Sequence, residues 1–363
     1  MTLIIFLGGC FSYRDMNRLV FASMAIIDIN EDKHTVLYGE QFKAYRGEGE
    51  KAGSEKKILI KGQGKTILDA YFNLSLSSDY PIDYSQNKAL VFTDKAAKYG
   101  IDNFIDGPRR NQKASLREYI FIYQEDPKEL LKVEMEDEQF IGMFLFNSMM
   151  SQNYNATHIE IRLNELLNNR LIGSKVYIIP IISITQKELK ERIGVGFAGG
   201  AVIHNDKMVD KLAIDEIQVY NYVNGFIKTG SVVIDNPQDK DKYITFVILK
   251  HKSKKELKYD GKILKVKIPI NIEVSTDQAQ QRIDLLDDEN RKQIEKQIEK
   301  QIENSCIELF NRFKKKEIDI YNIQKDFEIK YSGETQESLL DKMDLSFDVN
   351  VFIEGGQNNT NFE

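Results

Sequence analysis

The chain has 363 residues, 42% of them hydrophobic, with 50 Lys and Arg against 56 Asp and Glu and a formal charge of −6. This length and apolar content supply two or three ordinary cores and exclude a disordered acidic tail. The acidic balance excludes a dedicated nucleic-acid binder, which needs clustered positive charge to meet phosphate.

The first element is "LIIFLGGC". Leu3 to Leu7 form an apolar run, and Gly8, Gly9 and Cys10 follow it. A bacterial lipoprotein signal ends in the same order: a Leu or branched residue, two small residues and a cysteine. Small residues let the peptidase reach the backbone, and only a thiol carries a thioether-linked diacylglycerol. The pattern makes residues 1–9 a signal remnant cut away before Cys10, and Cys10 the lipid carrier, its new amine acylated or free. Two or more chains, at about 0.8 kcal/mol per buried CH₂, anchor stably where one is marginal. Only Met1 and Thr2 precede the apolar run, where such signals carry Lys or Arg; a start assigned too far downstream accounts for that. The other reading is a buried N-terminal strand, which tolerates two adjacent glycines poorly. After residue 10 no stretch approaches the roughly 18–20 apolar residues that cross a bilayer.

Two strands are expected at "FASMAIIDI" and "HTVLYGEQFKAY", joined by the polar turn "NEDK". "ILIKG" reads as a short strand and "TILDAYFNLSLSS" as a helix with Ile67, Leu68, Tyr71, Leu74 and Leu76 on its inner face. "KALVFT" is a strand, and "KAAKYGIDNFIDGPR" a helix stopped by Gly107 and Pro108. "EYIFIYQED" is a strand whose following Pro127 opens a short helix. Residues 138–172 read as helical; their Phe/Met run suits a partner-binding or membrane-dipping face, but core packing is the favoured reading. "KVYIIPIISIT" is a strand that Pro180 bends or confines to an edge, and "QKELKERIG" a linker.

The second half is expected to be α+β: a hairpin from "VGFAGGAVIHND" and "KMVDKL", a helix "IDEIQVYNYVNG" stopped by Gly225, and three strands from "SVVID" to "KILKVKIPINIEVS". Ile294, Ile298, Ile302, Cys306 and Phe310 recur every four residues. That spacing drifts about 40° per step, which suits one long helix lying obliquely across a sheet, with Cys306 buried and inert. "LSFDVNVFIEGG" is the closing strand.

Several strings imitate chemistry and fail. "GQGKT" (62–66) resembles the end of a phosphate-binding loop, but Leu59 stands where that loop needs its first glycine. A strand-to-helix turn with Thr66 as N-cap explains it. "GVGFAGG" has G-x-G-x-x-G spacing, yet a strand follows in place of the helix that would hold a pyrophosphate; close strand packing or a bulge is favoured. The basic runs "KHKSKKELK" and "FKKKE" read as solvated surface. Cys10 and Cys306 make no disulfide framework, and His34, His158, His204 and His251 have no paired metal-ligand spacing. The residues offer no catalytic, metal-binding or cofactor-binding constellation.

Taken in order, these pieces resemble the Ger(x)C spore germination lipoproteins, the C subunits of nutrient germinant receptors. Cys10, Phe11, Arg14, Asp15, Met16 and Asn17 fit the series that follows the lipid-bearing cysteine in that family. "KTILDAYFNLS", "KALVFTDKAAKYGIDNFID" and "GGAVIHNDKMVDKL" resemble three further family segments, and the long helix and closing strand complete the order. Phe11 replaces the usual tryptophan, and "SQNKA" stands where the family often has G-H-L. The resemblance implies three α+β domains with mixed and antiparallel sheets and one long C-terminal helix packed on a sheet. With the divisions read along the chain they are 10–110, 111–190 and 191–356, with a tail at 357–363. It further implies a non-enzymatic subunit, tethered by lipid on Cys10 to the outer face of the spore inner membrane. Its partners would be membrane-embedded A-type and transporter-like B-type receptor subunits, with no cofactor beyond that lipid. The rival reading is a solute-binding lipoprotein of a transport system, with its ligand in an interdomain cleft; the irregular alternation of strands and helices counts against it.

Overall fold

The computed structural model describes residues 19–43, 57–105, 115–135, 138–152, 155–187, 192–225, 227–281, 283–332 and 339–354. Among these, the strands β1 (Val20–Ile29), β2 (Thr35–Lys43), β3 (Ile58–Gly64), β4 (Ile82–Asp83), β5 (Ala89–Thr93), β6 (Tyr119–Tyr123), β7 (Val176–Lys187), β8 (Arg192–His204) and β9 (Lys207–Leu212) form one sheet. Its order is β3-β2-β1-β5-β6-β7-β8-β9, with β4 beside β1. The centre is parallel, from β1 through β5 and β6 to β7. Antiparallel strands flank it on both sides. Every residue of β5 and β6 is buried, as expected of central strands covered on both faces.

The helices α1 (Ile67–Ser75), α2 (Asp94–Tyr99) and α5 (Leu163–Asn169) contribute to the core on one face of this sheet. On the other face lie α3 (Pro127–Lys132) and α4 (Ile141–Ser151). The Phe/Met run therefore packs largely inward: Phe140 and Met149 are buried with Ile141 and Leu145, Phe144 and Phe146 partly so, and Met150 is exposed. Gly142 lets α4 approach β1, since a β-carbon there would lie 2.2 Å from the Ser23 carbonyl oxygen. The first turn of α4 is capped by a buried side chain: Glu40 accepts from the Ile141 and Gly142 amides, each at 3.0 Å, and from Ser23 Oγ at 2.7 Å. Lys57 Nζ lies 3.2 Å from the same carboxylate.

The smaller sheet contains β10 (Ser231–Asn236), β11 (Asp239–Ser253), β12 (Glu256–Tyr259), β13 (Leu264–Ala279) and β14 (Met343–Ile353). β13 is central; β11 and β12 pair antiparallel along one side of it and β14 runs parallel along the other. Its core is shared with α6 (Ile214–Asn224), the 27-residue α7 (Asp288–Lys314) and α8 (Ile323–Lys330).

The repeat Gln-Ile-Glu-Lys in α7 has a structural meaning on each face. Ile294, Ile298, Ile302 and Cys306 are buried against the sheet. On one flank, Glu295 accepts from the Ile353 amide at 3.0 Å and Glu299 from the Val351 amide at 3.1 Å, both in β14. On the other, Gln297 and Gln301 donate to the carbonyls of Asp235 and Val233 in β10, at 2.9 and 3.2 Å. Two edge strands of the sheet, β10 and β14, are thus bonded by one helix, which reduces the unpaired backbone that invites another chain.

The α+β class and the long helix packed on a sheet are as expected. Other expectations need correction. The helix after β5 breaks at Gly100, whose φ of +138° an L-residue rarely adopts; Gly107 and Pro108 lie outside the described residues. Residues 158–162 are extended, not helical, because they lie beside β6: Ile120 N–H donates to Ile161 O and Leu163 N–H to Glu118 O. Pro180 stands in an interior strand, opposite Gly200, just before β7 begins its parallel pairing at Ile181. The segment expected as a linker closes a hairpin, with Lys187 paired to Arg192. The divisions at residues 110 and 190 are a separate matter: the nine-stranded sheet takes strands from both sides of each. β12 lies in a basic run read as surface, and two of that run's side chains turn inward. His251 is buried with Nε2 3.0 Å from the Tyr222 carbonyl, and Lys255 donates to Tyr321 O at 2.5 Å and Asp326 at 2.9 Å.

Candidate functional site

Cys10 lies outside the described residues, so the candidate surfaces are built from the body of the protein. The glycines of "GQGKT" are places of close approach. A β-carbon at Gly62 would lie 2.2 Å from Ala70 O and 2.4 Å from Leu74 N, and one at Gly64 2.5 Å from Ala70 N. Thr66 caps α1 by accepting from the Asp69 amide. The string is a strand-to-helix turn with the helix laid back along its own strand. Likewise Gly199, at φ +129°, is pressed against Leu212 O beside a bulge between β7 and β8. Neither string builds a phosphate cradle.

The same close approach corrects the inner face of α1. Leu74 is buried as expected and Ile67 and Tyr71 pack partly buried against the core, but Ala70, lying over the two glycines, is buried where Leu68 and Leu76 are not. Leu68, Phe72 and Leu76 point away and are 54%, 59% and 85% exposed. The sequence signal for this was available: Gly62, Gly64 and Ala70 are small residues at the positions of contact.

A second surface lies where the larger sheet meets the C-terminal half. The extended residues 158–162 alternate, with Ile159 and Ile161 buried and His158, Glu160 and Arg162 on the polar side. Arg162 Nη2 donates to Tyr119 OH at 2.6 Å, and its guanidinium stands 4.6 Å from that ring's centre. His158 Nε2 lies 3.7 Å from Glu160. The His158 imidazole beside it holds the Glu160 carboxyl below the ordinary carboxylate range, against the opposing effect of burial. His158 and Glu160 border a cleft of about 520 Å³ whose wall carries the carboxamides of Asn155, Asn168, Asn169 and Asn224. Such a lining can hydrogen-bond a small polar molecule. Among the described residues no group of three or more His, Cys, Asp and Glu is placed to hold a metal ion.

Side-chain bonds tie together segments that are remote in sequence. Asn221 of α6 donates to the carbonyls of Ala156 at 2.8 Å and His158 at 2.7 Å. Gly225 leaves room for it, since a β-carbon there would lie 2.8 Å from the Asn221 side chain. Asp206, in the turn Asn205-Asp206 where both residues have positive φ, accepts from Arg170 Nε at 2.5 Å, Arg170 Nη2 at 2.9 Å and Tyr177 OH at 3.0 Å. Arg312 of α7 bonds Glu216 and the Lys211 carbonyl, and Lys316 pairs with Asp210 at 2.6 Å. Sequence reasoning missed Asn221 and the polar row. Their signals were a carboxamide inside the helix "IDEIQVYNYVNG" and the two-residue alternation of "HIEIR".

The family described as "Spore germination protein N-terminal domain" matches residues 12–184, and "Spore germination B3/GerAC like, C-terminal" matches residues 198–356. The spore germination protein GerQC of Bacillus cereus is 24% identical over 326 residues, covering 90% of this chain and 88% of that protein. Spore germination protein B3 of Bacillus subtilis (strain 168) is 22% identical over 263 residues, covering 69% and 66%. The crystal structure of the GerBC protein superposes with a TM-score of 0.57 at 15% identity, over 91% of this chain and 96% of that one, and so shares its fold. With both family regions present in tandem, the chain belongs to the Ger(x)C family of spore germination proteins.

Proposed function

We propose that this chain is the lipid-anchored, non-catalytic C subunit of a nutrient germinant receptor. Cys10 carries the diacylglycerol that holds it to the outer face of the spore inner membrane, where it works with membrane-embedded A-type and B-type subunits. The observation that carries this reading is the tandem match to both germination regions across residues 12–184 and 198–356. The "LGGC" order at residues 7–10 supports the tether. Labelled palmitate fed to a bacterial host should enter the chain and be absent from Cys10→Ala, which should leave the membrane fraction. Equal labelling of both would remove the tether from the account.

The carboxamide-lined cleft favours one second reading, a solute-binding lipoprotein. Calorimetric titration of the body with amino acids and sugars separates the two. A receptor subunit that works by assembly gives no heat of binding in the micromolar range, whereas a solute-binding protein does.

A further inference from the structure

We infer that the outer stripe of α1 lies against the bilayer, with Leu68, Phe72 and Leu76 in the boundary between headgroups and acyl chains; this rests on Cys10 being the tether. The three side chains stand at i, i+4 and i+8, one line along the helix, and all are more than half exposed. The helix cannot roll to hide them, because its other side is locked by Ala70 and Leu74 over Gly62 and Gly64.

Topology fixes where the stripe points. α1 runs back along β3, since Gly64 meets Asp69 and Ala70 while Gly62 meets Ala70 and Leu74. β3 is antiparallel to β2, and β2 to β1, so α1 runs opposite to β1 and its C-terminal end points toward the end of the sheet where β1 begins, with Leu74 over Gly62, level with Leu37 and Ile27. The chain confirms the proximity five residues after Leu76: Val20 N–H donates to Pro81 O at 3.2 Å, and Val20 pairs with Ile82 and Lys43. Cys10 precedes Val20 by ten residues, a reach of at most about 35 Å. A tether of that length lets this end of the sheet, and the stripe that points toward it, reach the membrane. The end also carries Tyr80, exposed, with Lys43 Nζ 4.9 Å from its ring centre, an aromatic and a long cation of the kind that settle at headgroup level. Lys43 is paired with Asp79 at 3.4 Å, so the attraction is chiefly apolar and insensitive to salt.

The chain has no tryptophan, so Phe72→Trp installs a single reporter at an exposed site. The full chain is coupled through Cys10 to a maleimide-bearing lipid in vesicles of phosphatidylcholine and phosphatidylglycerol; Cys306 is buried and does not compete. Acyl chains of the lipids carry bromine as a contact quencher. The F72W emission should shift to the blue and fall about twofold on brominated vesicles, as for an interfacial aromatic. A reporter at the exposed Tyr243 of the smaller sheet, Y243W, should be unaffected. Adding L68D and L76D should abolish the F72W quenching without changing the coupled fraction. Quenching of F72W no greater than that of Y243W, or quenching that survives L68D and L76D, overturns the proposal and leaves the stripe to a protein partner. Because the tether is made chemically, either result is independent of whether Cys10 is lipidated in cells, which palmitate labelling decides.

Discussion

At Gly62 a single added β-carbon would meet backbone atoms of Ala70 and Leu74 at 2.2 and 2.4 Å. Backbone cannot turn aside as a flexible side chain can, so Gly62→Ala should lift α1 from β3 and cost about 1–3 kcal/mol. The check is a lowered urea midpoint with an unchanged slope, while Lys65→Ala, in the same string, stays within experimental error of the parent. Glu118 offers a test of a different kind. It is buried, hydrogen-bonded by Asn87, and burial pushes its carboxyl from 4.5 up to about 8. Between about pH 4.5 and 8 the unfolded chain has released this proton and the folded chain still holds it. Stability therefore falls as pH rises through that window and levels off above it. Glu118→Gln should flatten that slope, raising Tm at pH 8 and leaving it little changed at pH 4. An unaltered pH profile would mean that the carboxyl is solvated in the native state.

The elements differ in how plainly the chain announces them. The four-residue recurrence of Ile294, Ile298 and Ile302 was enough to place α7, and all three are buried as the spacing required. The hairpin of β8 and β9 was equally readable from its alternating apolar residues. The flanks of α7 were not readable, because which sheet edges Glu295 and Gln297 close depends on strands more than 50 residues away. On α1, Leu68 and Leu76 were misplaced on the inner face for a related reason. Counting apolar residues favours Leu68 and Leu76, but a glycine-lined strand selects the smallest side chain, Ala70, for contact. The "HIEIR" segment was taken with its helical neighbours, since the β6 partner that makes it extended is remote in sequence. For α7, replacing Glu295 and Glu299 together by Ala leaves the Val351 and Ile353 amides without partners. The expected cost is about 1–2 kcal/mol for each bond. The accompanying sign is faster hydrogen exchange confined to β14; exchange spread evenly over both sheets would contradict the edge-closing role.

Across the whole molecule, the two halves are joined by a continuous sheet on one side and by side-chain ties on the other. Asn221→Ala removes both donors to the carbonyls of Ala156 and His158, and should cost about 2 kcal/mol. Because the tie spans the halves, urea unfolding followed at two sites, one in each sheet, should lose its coincidence. Coincident transitions would show that the sheet alone keeps the halves cooperative. The proposed tether belongs to the same scale: the chain leads back from the start of β1 to Cys10, and the C-terminal end of α1 points toward that end of the sheet. The central claim is that this protein acts in nutrient-triggered germination as a membrane-tethered receptor subunit. The most direct measurement is dipicolinic acid release from spores whose only copy of the chain carries Cys10→Ala, beside spores with the unaltered chain, under a nutrient and a non-nutrient trigger. The account predicts loss of the nutrient response with the non-nutrient response intact; equal release by both spore types under nutrient would contradict it.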